Sequence, residues 1–261
     1  MKIFQVDAFT DKIFSGNPAA VVPLESWPDQ DMMQQIAEEN NLSETAFFVP
    51  EGDKKYRIRW FTPLTEVDLC GHATLASAHV LYTHLNHSDA EIHFSSKSGD
   101  LTVSRREGLY WLNFPSQPPE PIPVPKLIPE ALGTVPLYTG VNTDLLVLVQ
   151  NEEMVKKMNP DLIILKKMEV RGVIVTAPAD SDDTDFVSRF FAPGVGVPED
   201  PVTGSAHTVL TPFWAKRLGK NELTARQISD RGGLLRCEWA GDRVHIGGYA
   251  ITYMTGDIRT H

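Results

Sequence analysis

Cysteine, long apolar runs and basic charge are all scarce in this chain of 261 residues, and each shortage excludes a class of protein. Two cysteines, Cys70 and Cys237, are too few for a disulfide framework, which predicts a reducing compartment. No apolar run approaches the length that spans a bilayer, so we expect no membrane partner. A formal net charge of -10 disfavours nucleic acid and anionic membrane surfaces as partners, because both are negatively charged.

The residues that are present fit an ordinary globular enzyme or binding protein. Hydrophobic residues make up 42% of the chain, and a chain of this length can support two domains of ordinary size. Residues 1–4 enter an alternating strand without a basic segment, a long apolar core or a small-residue cleavage site, so we expect no signal peptide. We therefore expect a cytoplasmic protein.

The sequence nearly repeats itself at about half its length. Residues 59–63 lead through an acidic stretch to residues 70–74, and residues 189–193 lead through another to residues 203–207. In both places an aromatic strand ends at a proline and a loop, and a glycine then opens a run of small residues that is typical of a helix. Two such helix starts in one molecule suggest that one site uses both.

The repeat extends over most of the chain. Further matches join 17–22 to 142–147, 31–40 to 152–167, 45–50 to 173–178 and 98–103 to 231–236. The period is far longer than a solenoid unit, so two similar domains are predicted, although αβ segments can also resemble one another by chance. We assign residues 1–115 and a tail at about 248–261 to the N-terminal domain and residues 116–247 to the C-terminal domain. The proline-rich segment 115–136 is the expected linker.

Periodicity and turn residues predict the order of the elements in each half. The first half is expected to contain strands at 2–9, 17–23 and 42–49, a helix opened by Pro28 and Asp29, a helix at 73–85 and a strand meander at 91–114. Residues 73–85 are apolar on nearly every side, as in a helix wrapped by a sheet. In the second half, a helix at 205–218 contains Pro212, which should bend or interrupt it.

The two glycine-opened helices, at Gly71 and Gly204, can bind an anion. Each helix start exposes backbone N–H groups without a partner inside the helix, and the aligned peptide dipoles add partial positive charge. A carboxylate bound there needs no Arg or Lys, which suits an acidic protein. The alternative is that each glycine only permits a tight turn between strand and helix.

Glu44 differs between the two halves, because the repeat places it opposite Gly172. It stands where the strand becomes apolar, and burial beside apolar neighbours raises the pKa of a carboxyl group. A general acid/base works best when its pKa lies near the working pH, so Glu44 is a candidate for that role. The alternative is an exposed charge at the end of a strand.

Cys70 also lacks a counterpart, since Thr203 occupies the matching position. A racemase with two thiols needs a second cysteine, and Cys237 is expected in a sheet at a different place in the repeat. A lone buried cysteine is more often a small hydrophobic residue than a nucleophile.

Two other chemistries are disfavoured. A serine hydrolase built from Ser205, His207 and Asp200 is poorly supported, because positions two apart on a helix do not face each other. The histidines at 79, 84 and 87 surround a helix end without a carboxylate or cysteine at ligand spacing, so we expect no metal there.

Five ordered segments carry a resemblance to a known family: FQVDAF (4–9), GNPAAV (16–21), NLSETAF (41–47), LCGHAT (69–74) and EDPVTGSA (199–206). In these segments the chain resembles the phenazine-biosynthesis PhzF-like family, and more distantly diaminopimelate epimerase, over essentially its full length. The resemblance implies an α+β fold of the diaminopimelate epimerase type. Two pseudo-symmetric domains would each wrap a curved, mostly antiparallel sheet around a central helix, with the active site in the cleft between the domains.

The resemblance also implies an activity, namely isomerisation of a small unsaturated or cyclic carboxylic acid by proton transfer without a cofactor or metal. Glu44 would carry the proton, with His72 and Asp200 as further catalytic residues. The residues expected to bind substrate are Asn17, Ser43, Gly71, Ala73, Gly204 and Ser205. The partner is then a small-molecule carboxylate, and a homodimer is plausible.

The sequence departs from the epimerases at one of their two thiols. Cys70 stands where they have the first catalytic thiol, but Thr203 and Gly204 replace the segment that holds the second. Two hypotheses remain beside the isomerase. One is a small-molecule-binding or scaffold protein without turnover, and the other is an amino-acid racemase or epimerase that uses Cys70.

Overall fold

The computed structural model describes residues 1–52 and 54–260. The strands are β1 Lys2–Ala8, β2 Asn17–Pro23, β3 Glu44–Pro50, β4 Lys55–Phe61, β5 Glu66–Val67, β6 Glu91–Ser96, β7 Gly99–Arg106, β8 Leu109–Pro115, β9 Glu120–Pro121, β10 Tyr138–Val141, β11 Leu145–Leu148, β12 Val173–Pro178, β13 Phe186–Ala192, β14 Val197–Asp200, β15 Glu222–Gln227, β16 Gly233–Ala240, β17 Arg243–Gly248 and β18 Ala250–Asp257. The helices are α1 Gln30–Asn40, α2 Gly71–His84, α3 Ile128–Leu132, α4 Glu152–Lys157, α5 Leu162–Leu165 and α6 Gly204–Leu218, with a 3₁₀ turn at Pro193–Val195.

The chain separates into two compact units. Unit 1 comprises Met1–Asn113 and Gly247–His261, and unit 2 comprises Phe114–Ile246. The sequence predicts boundaries after residues 115 and 247. In the part of the chain that the structure describes, no helix is both long enough and apolar enough to cross a bilayer.

In unit 1 the strands surround α2. β1 pairs antiparallel with both β2 and β18, and the sheet continues through a parallel β2–β3 pair, an antiparallel β3–β4 pair, a parallel β4–β6 pair and an antiparallel β6–β7 pair. α2 packs against β1, β2, β3 and β18. Its residues from His72 to Leu81 are all buried, because small side chains allow the sheet to approach from several sides. The expected burial on all sides is confirmed for residues 73–81, whereas Thr83 and Leu85, near the end of the predicted helix, are exposed.

α1 covers the other surface of the unit 1 sheet through one apolar face. It begins after Pro28 and Asp29, as predicted, and ends at Asn41, which adopts the left-handed conformation with φ 48°. Met33, Ile36 and Ala37 are buried against Phe47 and Phe61. Each fully buried side chain of the size of Met or Ile contributes about 1.5–3 kcal/mol, which fixes α1 and therefore the loop from α1 to β3.

Unit 2 repeats this pairing pattern. The order is an antiparallel β10–β11 pair, a parallel β11–β12 pair, an antiparallel β12–β13 pair, a parallel β13–β15 pair and an antiparallel β15–β16 pair. α6 occupies the place of α2, packs against β15 and β16, and is buried from Ala206 to Ala215. The equal order of parallel and antiparallel pairs agrees with the repeat in the sequence.

One expectation for unit 2 needs correction. The proline-rich segment that was predicted as the linker contains β9 and α3. Pro212 does not interrupt α6, which continues from Gly204 to Leu218. A proline at 212 cannot donate to the carbonyl of Thr208. The backbone N–H of Gln117 donates to that carbonyl instead at 3.0 Å, so the acceptor remains satisfied.

Candidate active site

Glu44 is the first residue of β3, next to the start of α2. The parallel register places it beside Ala19 of β2, and the Asn40 side chain donates to the Thr45 hydroxyl at 3.1 Å, which fixes the entry into the strand. The side chain of Glu44 is 18% exposed, so the carboxylate is neither fully buried nor a free surface charge. Its Oε2 lies 3.2 Å from Nε2 of His72.

His72 is the second residue of α2 and is buried on all sides. Loss of solvation lowers its pKa to about 3, so the imidazole is neutral at physiological pH. Its Nδ1 lies 3.5 Å from the Sγ of Cys70, and its Nε2 contacts Glu44 with an alignment poorer than that of an ideal hydrogen bond. A neutral imidazole has one donor and one acceptor nitrogen. If Nε2–H points to the carboxylate, Nδ1 accepts from the thiol.

Cys70 lies closer to Glu44 and His72 than its sequence pattern predicts. It is the N-cap residue of α2 and is buried, and its backbone carbonyl accepts hydrogen bonds from the N–H and hydroxyl of Thr74. Ligand atoms of Glu44, Cys70 and His72 all lie within 4.8 Å of one another. The thiol is thus part of a polar cluster. The Cys-x-His spacing across a helix start is the signal that could have predicted it.

The other residues predicted in unit 1 surround the same helix start. Asn17 is the first residue of β2, is fully buried and lies on the same face of the strand as Ala19, the neighbour of Glu44. Gly71 opens α2, Ala73 is buried within its first turn, and Ser43 is half-buried immediately before Glu44. The structure therefore gathers these residues around the β3 and α2 termini.

The residues predicted in unit 2 gather at the start of α6. Asp200 ends β14, and its carboxylate accepts from the Thr203 hydroxyl at 2.5 Å. Gln227 of β15 holds this turn, since its amide donates to the Asp200 carbonyl at 2.7 Å and accepts from the Thr203 N–H at 2.8 Å. Gly204 and Ser205 then form the first two positions of α6. Asp200 and Ser205 are thus positioned by a shared network.

Arg171 is a residue of this network that was not predicted. Its Nη2 donates to the Ser205 hydroxyl at 3.0 Å, and its Nε donates to Asp144 at 2.8 Å, with a second bond from Nη2 to the other carboxylate oxygen. Asp144 is fully buried. In the repeat, Arg171 falls opposite Ser43, and Ser205 falls opposite His72. Comparison of the two halves at those positions could have identified the arginine.

The histidines outside the cluster have structural contacts. His207 is buried, loss of solvation lowers its pKa to about 4, and its Nδ1 contacts the Thr203 carbonyl at 2.8 Å. Within residues 1–52 and 54–260 it makes no hydrogen bond to Ser205, so the hydrolase arrangement gains no support. His79 and His84 both contact the Thr252 hydroxyl, and His87 contacts the Tyr56 hydroxyl.

Comparison with known proteins identifies the family. The sequence profile of the family described as phenazine biosynthesis-like protein matches residues 6–256, so the chain belongs to that family. It is 51% identical over 258 residues to an uncharacterized isomerase of Pseudomonas aeruginosa, covering 99% of this chain and 98% of the relative. A crystal structure of a PhzF-family phenazine biosynthesis protein from Enterococcus faecalis superposes with a TM-score of 0.96 at 48% identity, covering 99% of this chain and 98% of the other.

More distant structures support the fold alone. A predicted epimerase from Pseudomonas aeruginosa has a TM-score of 0.77 at 22% identity over 100% of this chain and 99% of the other. The α+β fold of the diaminopimelate epimerase type, predicted from the sequence, is confirmed. The names of the closer relatives support the predicted enzyme class, an isomerase.

Proposed function

We propose that the protein is a cofactor-independent isomerase that moves a proton between carbons of a small unsaturated or cyclic carboxylic acid. The observation that carries this proposal is the placement of one partly buried carboxylate, Glu44, against a neutral, buried His72 at the start of a central helix. A base in this position is shielded from most of the solvent but still reaches it.

In the proposed reaction, the Glu44 carboxylate takes a proton from the carbon next to the unsaturated system. The electron pair left by the C–H bond spreads into the conjugated carboxylate of the substrate. Backbone N–H groups at the start of α2, around Gly71, stabilise the resulting charge. The Glu44 carboxylic acid then returns the proton to another carbon, so no external oxidant or reductant is needed.

His72 and Asp200 are assigned supporting roles. The neutral imidazole of His72 can donate Nε2–H to the Glu44 carboxylate and orient it. Asp200, Ser205 and Asn17 would contact the substrate, with Ser43 and Ala73 beside the helix start. Ser205 accepts a hydrogen bond from Arg171, so its own hydroxyl hydrogen is left to donate elsewhere.

The test is deuterium incorporation from solvent into small unsaturated, hydroxy and amino carboxylates with the wild type and Glu44→Gln. The amide keeps the size of the side chain but removes the base. Glu91→Gln is a matched control, since Glu91 also lies 3.3 Å from a histidine, His93, but at the surface. We expect exchange with the wild type and the control only. Near-normal exchange by Glu44→Gln would refute the assignment.

A second candidate is a racemase or epimerase in which Cys70 carries a proton. The 3.5 Å contact between Cys70 Sγ and His72 Nδ1 is the observation in its favour. Cys70→Ala separates the two proposals, because it should abolish exchange only if the thiol is the base. Binding of a carboxylate without exchange in any variant would instead favour the scaffold protein.

A further inference from the structure

We propose that Glu44, Cys70 and His72 form a binding site for Zn²⁺, and that the bound ion blocks the proton transfer assigned to Glu44. The metal site is inferred from the geometry of unit 1 alone. Its inhibitory effect rests on the function proposed above.

The distance between the Glu44 and His72 ligand atoms is close to that between neighbouring ligands of a zinc ion. In a tetrahedral zinc site with Zn–N and Zn–O distances near 2.1 Å, neighbouring nitrogen and oxygen ligands lie roughly 3.3–3.5 Å apart. Glu44 Oε2 and His72 Nε2 are 3.2 Å apart. The thiol lies within the 4.8 Å limit that encloses all three ligand atoms. The thiol contacts the other ring nitrogen, Nδ1, at 3.5 Å, so a zinc ion bound at Nε2 requires the Cys70 side chain to rotate towards Glu44.

The three side chains are all of the kinds that bind zinc in proteins. Thiolate, imidazole and carboxylate are the zinc ligands of proteins, and three protein ligands with an open fourth position define the sites that exchange their metal and bind small molecules. Zinc binding replaces the thiol proton of Cys70, which passes to solvent. The bound ion would then face two anionic ligands and one neutral ligand.

The partial charge at the start of α2 opposes zinc binding, whereas the charges of the ligands favour it. The start of α2 carries partial positive charge, which disfavours a cation. The two anionic ligands of the bound ion, a carboxylate and a thiolate, outweigh the roughly half a positive charge of the helix start. The sulfur and imidazole are buried, at 7% and 5% exposure, whereas the partly exposed Glu44 leaves an entry path.

All three ligands belong to the ends of well-packed elements. Cys70 and His72 flank the first residue of α2, and Glu44 begins β3. The backbone therefore needs no rearrangement to bring them together, and little ordering entropy opposes binding. The surface pair of Glu91 and His93 has a similar separation, 3.3 Å, but is exposed and belongs to no cluster with a thiol among the described residues.

A zinc ion bound to Oε2 of Glu44 withdraws charge from the carboxylate and makes it a weaker base. Proton exchange should therefore fall as the site fills, and a chelator should restore it. This predicts a protein that needs no metal for turnover and is inhibited by one equivalent of a thiophilic ion.

The experiment is a titration of the reduced, chelator-treated full-length protein with Co²⁺, which takes the place of zinc and reports a bound thiolate by a charge-transfer absorption band. Zn²⁺ is then added to displace it, and calorimetry gives the Zn²⁺ affinity. The variants are Cys70→Ser, Cys70→Ala, His72→Gln and Glu44→Gln. Cys237→Ser and His93→Gln are matched controls, since Cys237 is also buried but lies in unit 2 and His93 belongs to the exposed pair.

We expect one equivalent of Co²⁺ with a charge-transfer band in the wild type and both controls. Both Cys70 variants should lose the band, and each ligand variant should weaken Zn²⁺ binding by at least about tenfold. Thermal unfolding of each variant without metal checks that it is folded, and Zn²⁺ should raise the Tm of the wild type and of both controls more than that of the ligand variants. A wild type without the band, or a folded Cys70 variant that keeps it, would overturn the proposal.

The spectrum requires no substrate, so the two proposals can fail separately. Metal binding without proton exchange in any assay would leave the zinc site intact and reject the isomerase. Proton exchange in a protein that binds no Co²⁺ would reject the zinc site alone. Binding without inhibition would overturn the inhibitory half of the inference.

Discussion

His72 Nε2 lies 3.2 Å from Glu44 Oε2, almost the separation of His93 Nε2 from Glu91 Oε1, which is 3.3 Å. Burial distinguishes the two pairs. The side chains of His72 and Glu44 are 6% and 18% exposed, whereas those of His93 and Glu91 are 50% and 45% exposed. The buried pair Glu44–His72 thus has a solvent-exposed counterpart in Glu91–His93, and the exposed pair serves as an internal control.

Replacement of His72 by Gln should slow proton exchange by roughly 10²-fold, because a base misplaced by about 1 Å can lose a factor of that order. The glutamine removes the ring that orients Glu44. Exchange rates at saturating substrate measure the effect, and His93→Gln should leave them unchanged. Equal rates for His72→Gln and the wild type would assign His72 a purely structural role.

Replacement of Arg171 by Ala should destabilise the protein by about 3 kcal/mol, because it leaves the buried Asp144 carboxylate without its charged partner. Urea unfolding measures the change. Arg57→Ala is the control, since Arg57 and Glu51 form an exposed pair at 4.0 Å that should contribute less than about 1 kcal/mol. Adding Asp144→Asn to Arg171→Ala should recover part of the loss. A double variant no more stable than the single one would contradict this account.

Glu66 should make stability depend on pH in the acid range. The Arg59 hydrogen bond, with further help from Lys97, lowers the pKa of Glu66 from 4.5 to about 2. The unfolded chain therefore binds this proton first as the pH falls. The stabilisation, at most roughly 3 kcal/mol, is complete above about pH 5 and is lost towards pH 2. Unfolding free energies of the wild type and Glu66→Gln across this range should converge as the pH falls, and a constant difference would exclude the effect.

Replacement of Gly16 by Ala should destabilise unit 1 by more than about 1 kcal/mol, because an unfavourable backbone conformation and a steric collision both contribute. Gly16 has a φ of +67°, and a Cβ there would collide with the carbonyl oxygen of Ala8. Gly133→Ala separates these costs, since Gly133 has a φ of +65° and nothing within 4 Å of the added atom. Thermal unfolding should show the larger loss for Gly16→Ala. Equal losses would mean that the collision relaxes without cost.

Local patterns predicted the elements well. The apolar face of α1, the start after Pro28 and Asp29 and the uniformly apolar α2 all follow from residues close in sequence. The repeat extended these predictions to unit 2, because the same spacing of strand, loop and glycine recurs before α6.

The contacts of the candidate site were less predictable, because they join residues distant in sequence. Cys70 was expected to be a small hydrophobic residue, and only the packing of α2 beside β3 brings its thiol near Glu44. Arg171 was missed for a similar reason, since a helix start alone can bind an anion and the sequence does not show which side chains lie beside it. Pro212 was expected to bend or interrupt α6, and the N–H that satisfies the Thr208 carbonyl in its place belongs to Gln117, 91 residues before Thr208.

That distant donor gives Pro212 a role in assembly. An ordinary helix offers no main-chain oxygen to the outside in its middle turns, whereas α6 presents the oxygen of Thr208 to a segment entering the unit. The Thr208 hydroxyl adds a second bond, to the Gln117 side chain at 3.1 Å. A displacement that brought Pro118 to the position of Gln117 would lose the backbone bond, because proline has no N–H, so this bond favours one alignment of the start of unit 2 on its own central helix.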